Sequence, residues 1–315
     1  MHIVTAKEVY EIDRHAIEKV GIDKKILMEN AGRAVTPKIE ELLGEQTAIL
    51  ILAGGGDNGG DGFVIARTLL NRGFRVVVLQ VVPNTKIKGA ALYHKQLFRN
   101  IGGQMEYASR TGDMASLFER FEVIVDAMLG IGLKGKIRAP YDKIIDLVNQ
   151  ANKLTICVDV PSGVPAAEGT ADVLAVQADY TVIIEEPKIS AYLQNYALFY
   201  GEWEAVKIGL PRQAFDSLSV RKSWAVDEFI GSIPKRERFS HKGSHGKGLV
   251  IGGSAEMPGS ILMTASAALR TGAGLITVGT LPEVIPNIAA RFPEATYQML
   301  QGRTDNRSGV RYFCL

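Results

Sequence analysis

Residues 48–62 read Ala48-Ile49-Leu50-Ile51-Leu52-Ala53-Gly54-Gly55-Gly56-Asp57-Asn58-Gly59-Gly60-Asp61-Gly62. An unbroken apolar run without polar alternation predicts a strand buried on both faces, the habit of a parallel sheet. The glycines that follow, interleaved with Asp57, Asn58 and Asp61, predict a tight turn into a helix over 62–72. Gly54-x-Gly56-x-x-Gly59 formally matches the dinucleotide fingerprint, in which backbone amides at a helix N-terminus approach a pyrophosphate. No Lys-Ser/Thr pair follows the glycines, which excludes a P-loop.

Outward from this turn, strand-like and helix-like segments alternate. Thr5-Ala6-Lys7-Glu8 has capping-box spacing, and Val9, Ile12, Ala16, Ile17 and Val20 then recur at helical spacing as far as Gly21. A second helix is expected over 25–43. Strands are expected over 47–53, 75–82, 105–107, 123–128, 155–160 and 180–185, with helices over 88–101, 114–120 and 141–151 between them. This order predicts an α/β fold built on a doubly wound, mostly parallel sheet. Ligands in such sheets bind beyond the carboxyl ends of the strands, which directs attention to the residues after Ala53, Met128 and Val160.

Composition narrows the classes. Lys and Arg number 36 against 34 Asp and Glu, a net charge of +2 that offers no field for a nucleic acid or a membrane surface. Only Cys157 and Cys314 occur, so a disulfide framework is excluded, and Cys157 sits in an apolar run that predicts a buried strand. No apolar stretch reaches a membrane span and the N-terminus has no signal pattern, so a cytoplasmic protein is expected. Glycine is abundant, at 33 of 315 residues.

Two further strand ends carry an acid. Val125-Asp126-Ala127-Met128-Leu129-Gly130 and Val158-Asp159-Val160-Pro161-Ser162-Gly163 would bring Asp126 and Asp159 to one edge of one sheet. A buried carboxylate needs a hydrogen-bond donor or a cation, so each acid can also be read as structural. One amide (Asn58), one carboxylate (Asp126), one hydroxyl (Ser162) and backbone carbonyls make an oxygen-only set of low charge, suited to a monovalent cation rather than zinc. One acid would then hold the cation and the other move protons. A nicotinamide dehydrogenase would place an acid near the end of the second strand, where Leu79-Gln80-Val81-Val82 has none. That reading, and a non-catalytic nucleotide-binding module, stand as the alternatives to an enzyme of another kind.

Met28-Glu29-Asn30-Ala31-Gly32, the glycine turn 54–62, Asp126-Ala127-Met128-Leu129-Gly130 and Asp159-Val160-Pro161-Ser162-Gly163, in this order, resemble the NAD(P)H-hydrate epimerase family over residues 1–215. The resemblance implies a Rossmann-like domain that interconverts the R and S epimers of hydrated NADH or NADPH, in which water has added to C6 of the reduced nicotinamide. It implies substrate contacts from Asp57, Asn58, Gly59, Gly60 and Asp61, from Gly130, Ile131, Gly132, Leu133, Lys134, Gly135 and Lys136, and from Asp159. It also implies a potassium ion on Asn58, Asp126 and Ser162, with self-association into a homo-oligomer. Asp57 stands where the family loop usually has Asn. Asp159 is the expected general acid/base.

Beyond a linker over 216–240, His241-Lys242-Gly243-Ser244-His245-Gly246-Lys247, Val250-Ile251-Gly252-Gly253-Ser254 and Ala268-Leu269-Arg270-Thr271-Gly272-Ala273-Gly274-Leu275 resemble the start of an ADP-dependent NAD(P)H-hydrate dehydratase of ribokinase-like fold. Strands over 248–251 and 275–279 and a helix over 259–271 are expected there. The late glycine-rich motif that grips ADP or ATP has no counterpart, so 241–300 reads as an N-terminal fragment without dehydratase activity. Residues 301–315 read as an aberrant polar tail of a truncated or frameshifted frame, without strands or helices.

Overall fold

In the computed structural model, residues 2–44, 47–111, 113–133, 135, 137–166, 173–216 and 237–300 are described, with the backbone of 302–304 and 311–313. Two compact units divide the chain, Met1–Val226 and Asp227–Leu315. Most of the expected linker, 217–236, lies outside the described residues.

The first unit is built on seven strands: β1 Ala48–Ala53, β2 Arg75–Gln80, β3 Gln104–Tyr107, β4 Val123–Ala127, β5 Leu154–Val158, β6 Tyr180–Ile184 and β7 Glu202–Val206. They lie in the order β3-β2-β1-β4-β5-β6-β7, and every neighbouring pair is parallel. This is the doubly wound order with one strand added, and its switch point falls between β1 and β4. Side chains of β1 show why the run needs no polar alternation. Ile49, Ile51 and Ala53 enter one core with α2 (Lys24–Glu41), α3 (Asp57–Asn71) and α4 (Gly89–Asn100). Ala48, Leu50 and Leu52 enter the other, with α5 (Met114–Glu119) and α6 (Tyr141–Gln150). Opposite faces of one strand are thus both covered by helices. Cys157, in β5, is buried as expected; Cys314 is outside the described residues.

Three local features differ from the sequence expectation. α3 begins at Asp57 with Gly56 as N-cap, five residues before Gly62, so most of the glycine cluster is helical. The first helix holds α geometry over α1 (Ala6–Arg14), where Thr5 and Glu8 close the expected capping box, and then widens into a π-helical turn, His15–Lys19. After β6 the chain adds α7 (Gln194–Tyr200), β7 and α8 (Gln213–Asp216). Tyr196 and Tyr200 of α7 are buried against Ile183 of β6. These last elements are short, with too few turns for periodicity to declare them.

In the second unit, the parallel strands Lys247–Ile251, Leu275–Thr280 and Thr296–Met299 form a three-stranded sheet around the helix Pro258–Arg270. A short helix, Ile285–Ala289, precedes the third strand. The stretch expected to lack strands carries an antiparallel pairing of Gly302–Thr304 with Arg311–Phe313, a correction to that expectation. No helix among the described residues is long and apolar enough to cross a membrane.

Candidate functional site

A cavity of ≈ 790 Å³ opens beyond the carboxyl ends of β1, β4 and β5 in the first unit. Its size suits a cofactor or small molecule of a few hundred daltons. At the switch point, β1 and β4 nearly touch: a Cβ on Gly54 would lie 1.8 Å from the carbonyl oxygen of Met128. The glycines next along divide into two kinds. On Gly59 a Cβ would meet the Gly54 carbonyl at 2.2 Å, on Gly60 the sulfur of Met28 at 2.3 Å, and on Gly62 Cβ of Ala127 at 2.7 Å. These residues let the first turn of α3 pack onto the strands and α2. Gly55 and Gly56 face the cavity instead, and Gly56 has open space beside it.

Of the expected substrate contacts, Asp57, Asn58, Asp61, Gly130, Ile131, Gly132, Leu133 and Asp159 line this cavity. Gly59 and Gly60 do not, because both are turned into the packing just described. Gly135 does not line it either. Lys134 and Lys136 lie outside the described residues.

Asp159 follows β5 in a left-handed conformation, φ 67°. Asp tolerates this region better than most residues, and the rest of the strain is carried by its bonding. Its N–H donates to the Val182 carbonyl at 2.8 Å. Its Oδ1 accepts from the Ile184 N–H at 3.0 Å and is ion-paired with the ammonium of Lys188. Lys188 is 1% exposed and also donates to the Ile184 carbonyl at 2.9 Å. The backbone beside it is pinned by Val4, whose N–H donates to Pro187 and whose carbonyl accepts from Ile189.

Lys188 was not legible as a site residue. Ile184-Glu185-Glu186-Pro187-Lys188 follows the carboxyl end of β6, so the strand-end rule extended to that strand would have exposed it. Asp13 on α1 and Lys24 at the start of α2 also line the cavity. An acid or base inside an otherwise amphipathic helix gives no such signal in a sequence.

Asp126 and Ser162 are fully buried and bonded to one another. Asp126 accepts from the Ser162 hydroxyl at 2.6 Å, from the Ser162 N–H at 2.8 Å and from the Met128 N–H at 3.1 Å. Burial pushes its carboxyl up, while these hydrogen bonds pull it down. Ser162 Oγ also accepts from the Leu129 N–H at 2.8 Å, and the Leu129 carbonyl accepts from Asn58 Nδ2 at 2.9 Å. The other end of that amide, Asn58 Oδ1, is buried without a hydrogen-bond partner among the described residues. A buried amide oxygen left unsatisfied is costly and demands a missing partner. An amide, a carboxylate, a hydroxyl and a carbonyl are hard oxygen donors of the kind a monovalent cation takes, and here Leu129 bonds to both Asn58 and Ser162 while Ser162 bonds to Asp126. No group of three or more His, Cys, Asp or Glu suited to another metal occurs among the described residues.

Charge in the cavity is unbalanced toward acid. Asp13 has its carboxyl raised to about 6, first by burial, with Lys188 opposing and Asp159 and Asp57 adding to it. Burial pushes Asp61 well above the carboxylate range, and the charges of Asp159, Asp57 and Asp13 push the same way. Asp57 itself is exposed and paired with Lys24 at 2.8 Å.

Residues 24–190 match the family model described as YjeF-related protein N-terminus, and residues 248–311 match that of NAD(P)H-hydrate dehydratase. The second match runs past Leu300. The chain is 35% identical over 303 residues to a bifunctional NAD(P)H-hydrate repair enzyme of Moorella thermoacetica, covering 92% of this chain and 56% of that protein. With a protein of the same description from Coxiella burnetii it shares 36% identity over 297 residues, covering 91% of this chain and 58% of the relative. The chain thus spans about half the length of the curated relatives it matches. A yeast protein solved by crystallography, YNL200c, superposes with a TM-score of 0.60 at 21% identity, covering 72% of this chain and 98% of the yeast chain, which shows a shared fold. Since the first of the two family models covers more than half of its residues, the chain belongs to the YjeF-related protein N-terminus family.

Proposed function

We propose that the first unit interconverts the R and S epimers of hydrated NADH or NADPH, in the line of the repair enzymes to which the chain is similar. The observation that carries this reading is the ion pair of Asp159 with the buried Lys188 at the end of β5, in a cavity that also holds the N-terminus of α3. Helix N-termini attract phosphate oxygens through unpaired N–H groups and the macrodipole. Gly56, with open space beside it, leaves room for that approach. The pyrophosphate would lie there, and C6 of the hydrated ring would lie against Asp159. Asp159 moves a proton at the C6 hydroxyl, with Lys188 fixing its orientation.

Asn58, Asp126 and Ser162 would hold a potassium ion. Bound there, the ion supplies a fixed positive charge that offsets Asp126 and satisfies Asn58 Oδ1. The chain's own bonds already tie the Leu129 loop to both Asn58 and Ser162, so this loop presents Gly130 to Leu133 to the cavity in one conformation.

A hydride-transferring reading has less support. Gln80, at the end of β2, donates to the Val82 carbonyl and to Asn84 and accepts from Lys95, and it does not line the cavity. Purified full chain mixed with the R epimer is expected to generate the S epimer, followed by chromatography. Asp159→Asn should keep substrate affinity and lose roughly 10²- to 10⁴-fold in turnover, the usual worth of a positioned acid or base. Asn is well tolerated at positive φ, so the backbone conformation survives the change. Nucleotide affinity without conversion would leave a binding module as the reading.

A further inference from the structure

Inversion at C6 without net redox has a simple balance. A proton goes to the C6 hydroxyl, the C6–O bond breaks with water leaving, and the N1 lone pair forms a C6=N1 iminium. Water then adds to the other face of C6, and its surplus proton goes to a base. The reaction therefore needs one group that starts with a proton and another that starts without one.

The cavity holds two carboxyl groups whose surroundings differ in this sense. Asp159 is ion-paired with the ammonium of Lys188 and accepts from the Ile184 N–H, so donors already hold its carboxyl in place. Asp61, the fifth residue of α3, is only 8% exposed and lines the same cavity, and its carboxyl has no hydrogen bond or ion pair among the described residues. A carboxylate in that position is uncompensated and costly. The neutral acid is not, and it has a proton to give.

We propose that Asp61 is the acid that protonates the departing C6 hydroxyl and that Asp159 is the base that receives the proton of the incoming water. The inference rests on the epimerase reading and divides its proton transfers between two walls of the cavity, the start of α3 and the end of β5. Pairs of carboxyl groups whose environments pull them apart are the recurring form of such a division.

Burial acts most strongly to favour the neutral form of Asp61, and Asp159 after β5, Asp57 on its own helix and Asp13 on α1 act the same way, while Lys24 at the start of α2 opposes them. The same excess of carboxylates stabilises an iminium, which is a cation, better than it stabilises the neutral hydrate. The proton returns to Asp61 from Asp159 through solvent in the cavity, and the cycle closes with nothing oxidised or reduced.

The test compares full-length wild type, Asp61→Asn and Asp61→Glu. Asp61→Asn should lower kcat roughly 10²- to 10⁴-fold with KM changed by no more than a few-fold, and Asp61→Glu should restore part of it. Wild-type kcat should fall as pH rises and Asp61 loses its proton, and this limb should vanish in Asp61→Asn. Should Asp61→Asn fail to fold, infrared spectroscopy of the wild type reads the same point, since a protonated carboxyl band is expected at neutral pH and should shift on carboxylate labelling. Wild type that turns over while Asp61→Asn keeps its kcat, or wild type without the protonated band, overturns the assignment of Asp61 and leaves the epimerase reading standing. Wild type without any conversion overturns the reading and this inference together.

Discussion

Asp13 shows how a single buried carboxyl writes itself into stability. Its folded value of about 6 lies above the ordinary 3.8, chiefly through burial. Below pH 3.8 the group is neutral whether the chain is folded or not, and it contributes nothing. Between 3.8 and about 6 the unfolded chain ionises first, so stability falls as pH rises, by up to about 3 kcal/mol in all, and stays lowered above pH 6. Asp13→Asn should remove that loss. The variant should be more stable than wild type near pH 7 by about 1–3 kcal/mol and equal to it near pH 4. Urea unfolding at the two pH values checks this, and an offset that is the same at both would mean that packing rather than ionisation governs the site. None of this is visible in the string Glu11-Ile12-Asp13-Arg14, where Asp13 reads as one polar residue of an amphipathic helix.

At the scale of elements, the first turn of α3 carries two demands on its glycines, and they are separable. Gly59→Ala would drive a methyl into the Gly54 carbonyl, which belongs to rigid backbone at the switch point. That should cost roughly 1–3 kcal/mol or more, because neither strand nor helix can move without breaking its ladder. Gly56→Ala meets open space at an ordinary φ of −94°, so stability should change by under about 1 kcal/mol. Its methyl would stand where a ligand must approach, and KM should rise while Tm stays put. Equal Tm losses in both variants would refute the distinction. This is also where sequence and structure part. The apolar runs of β1 and β2 and the acids at the ends of β4 and β5 were legible because burial on two faces and strand-end position leave marks in local order. The helical state of Asp57–Gly62 was not, since glycine has poor helix propensity and its presence there answers to tertiary contacts with Gly54, Met28 and Ala127. Lys188 took on meaning only when the fold brought it to Asp159's cavity, whereas Asp61 was already an expected substrate contact and the fold added its buried, acid-rich surroundings.

For the whole molecule, the division into two compact units with separate cores has a thermodynamic consequence. Each should unfold as its own cooperative step, because two-state behaviour belongs to a core rather than to a chain. The first unit buries both faces of a seven-stranded sheet. The second leaves Leu249, Ile251 and Met299, on the two outer of its three strands, exposed and should melt earlier. A cation held, as proposed, by Asn58, Asp126 and Ser162 would bind only the folded first unit, and so would raise that transition by mass action without touching the other. In potassium the calorimetric trace should show two transitions, and replacing potassium by choline should lower the upper one alone. With Asn58→Ala, which deletes the buried unsatisfied oxygen, the upper transition should stop responding to the choice of cation. A response in both transitions would indicate general salt screening, and none in either would remove Asn58, Asp126 and Ser162 as a cation site.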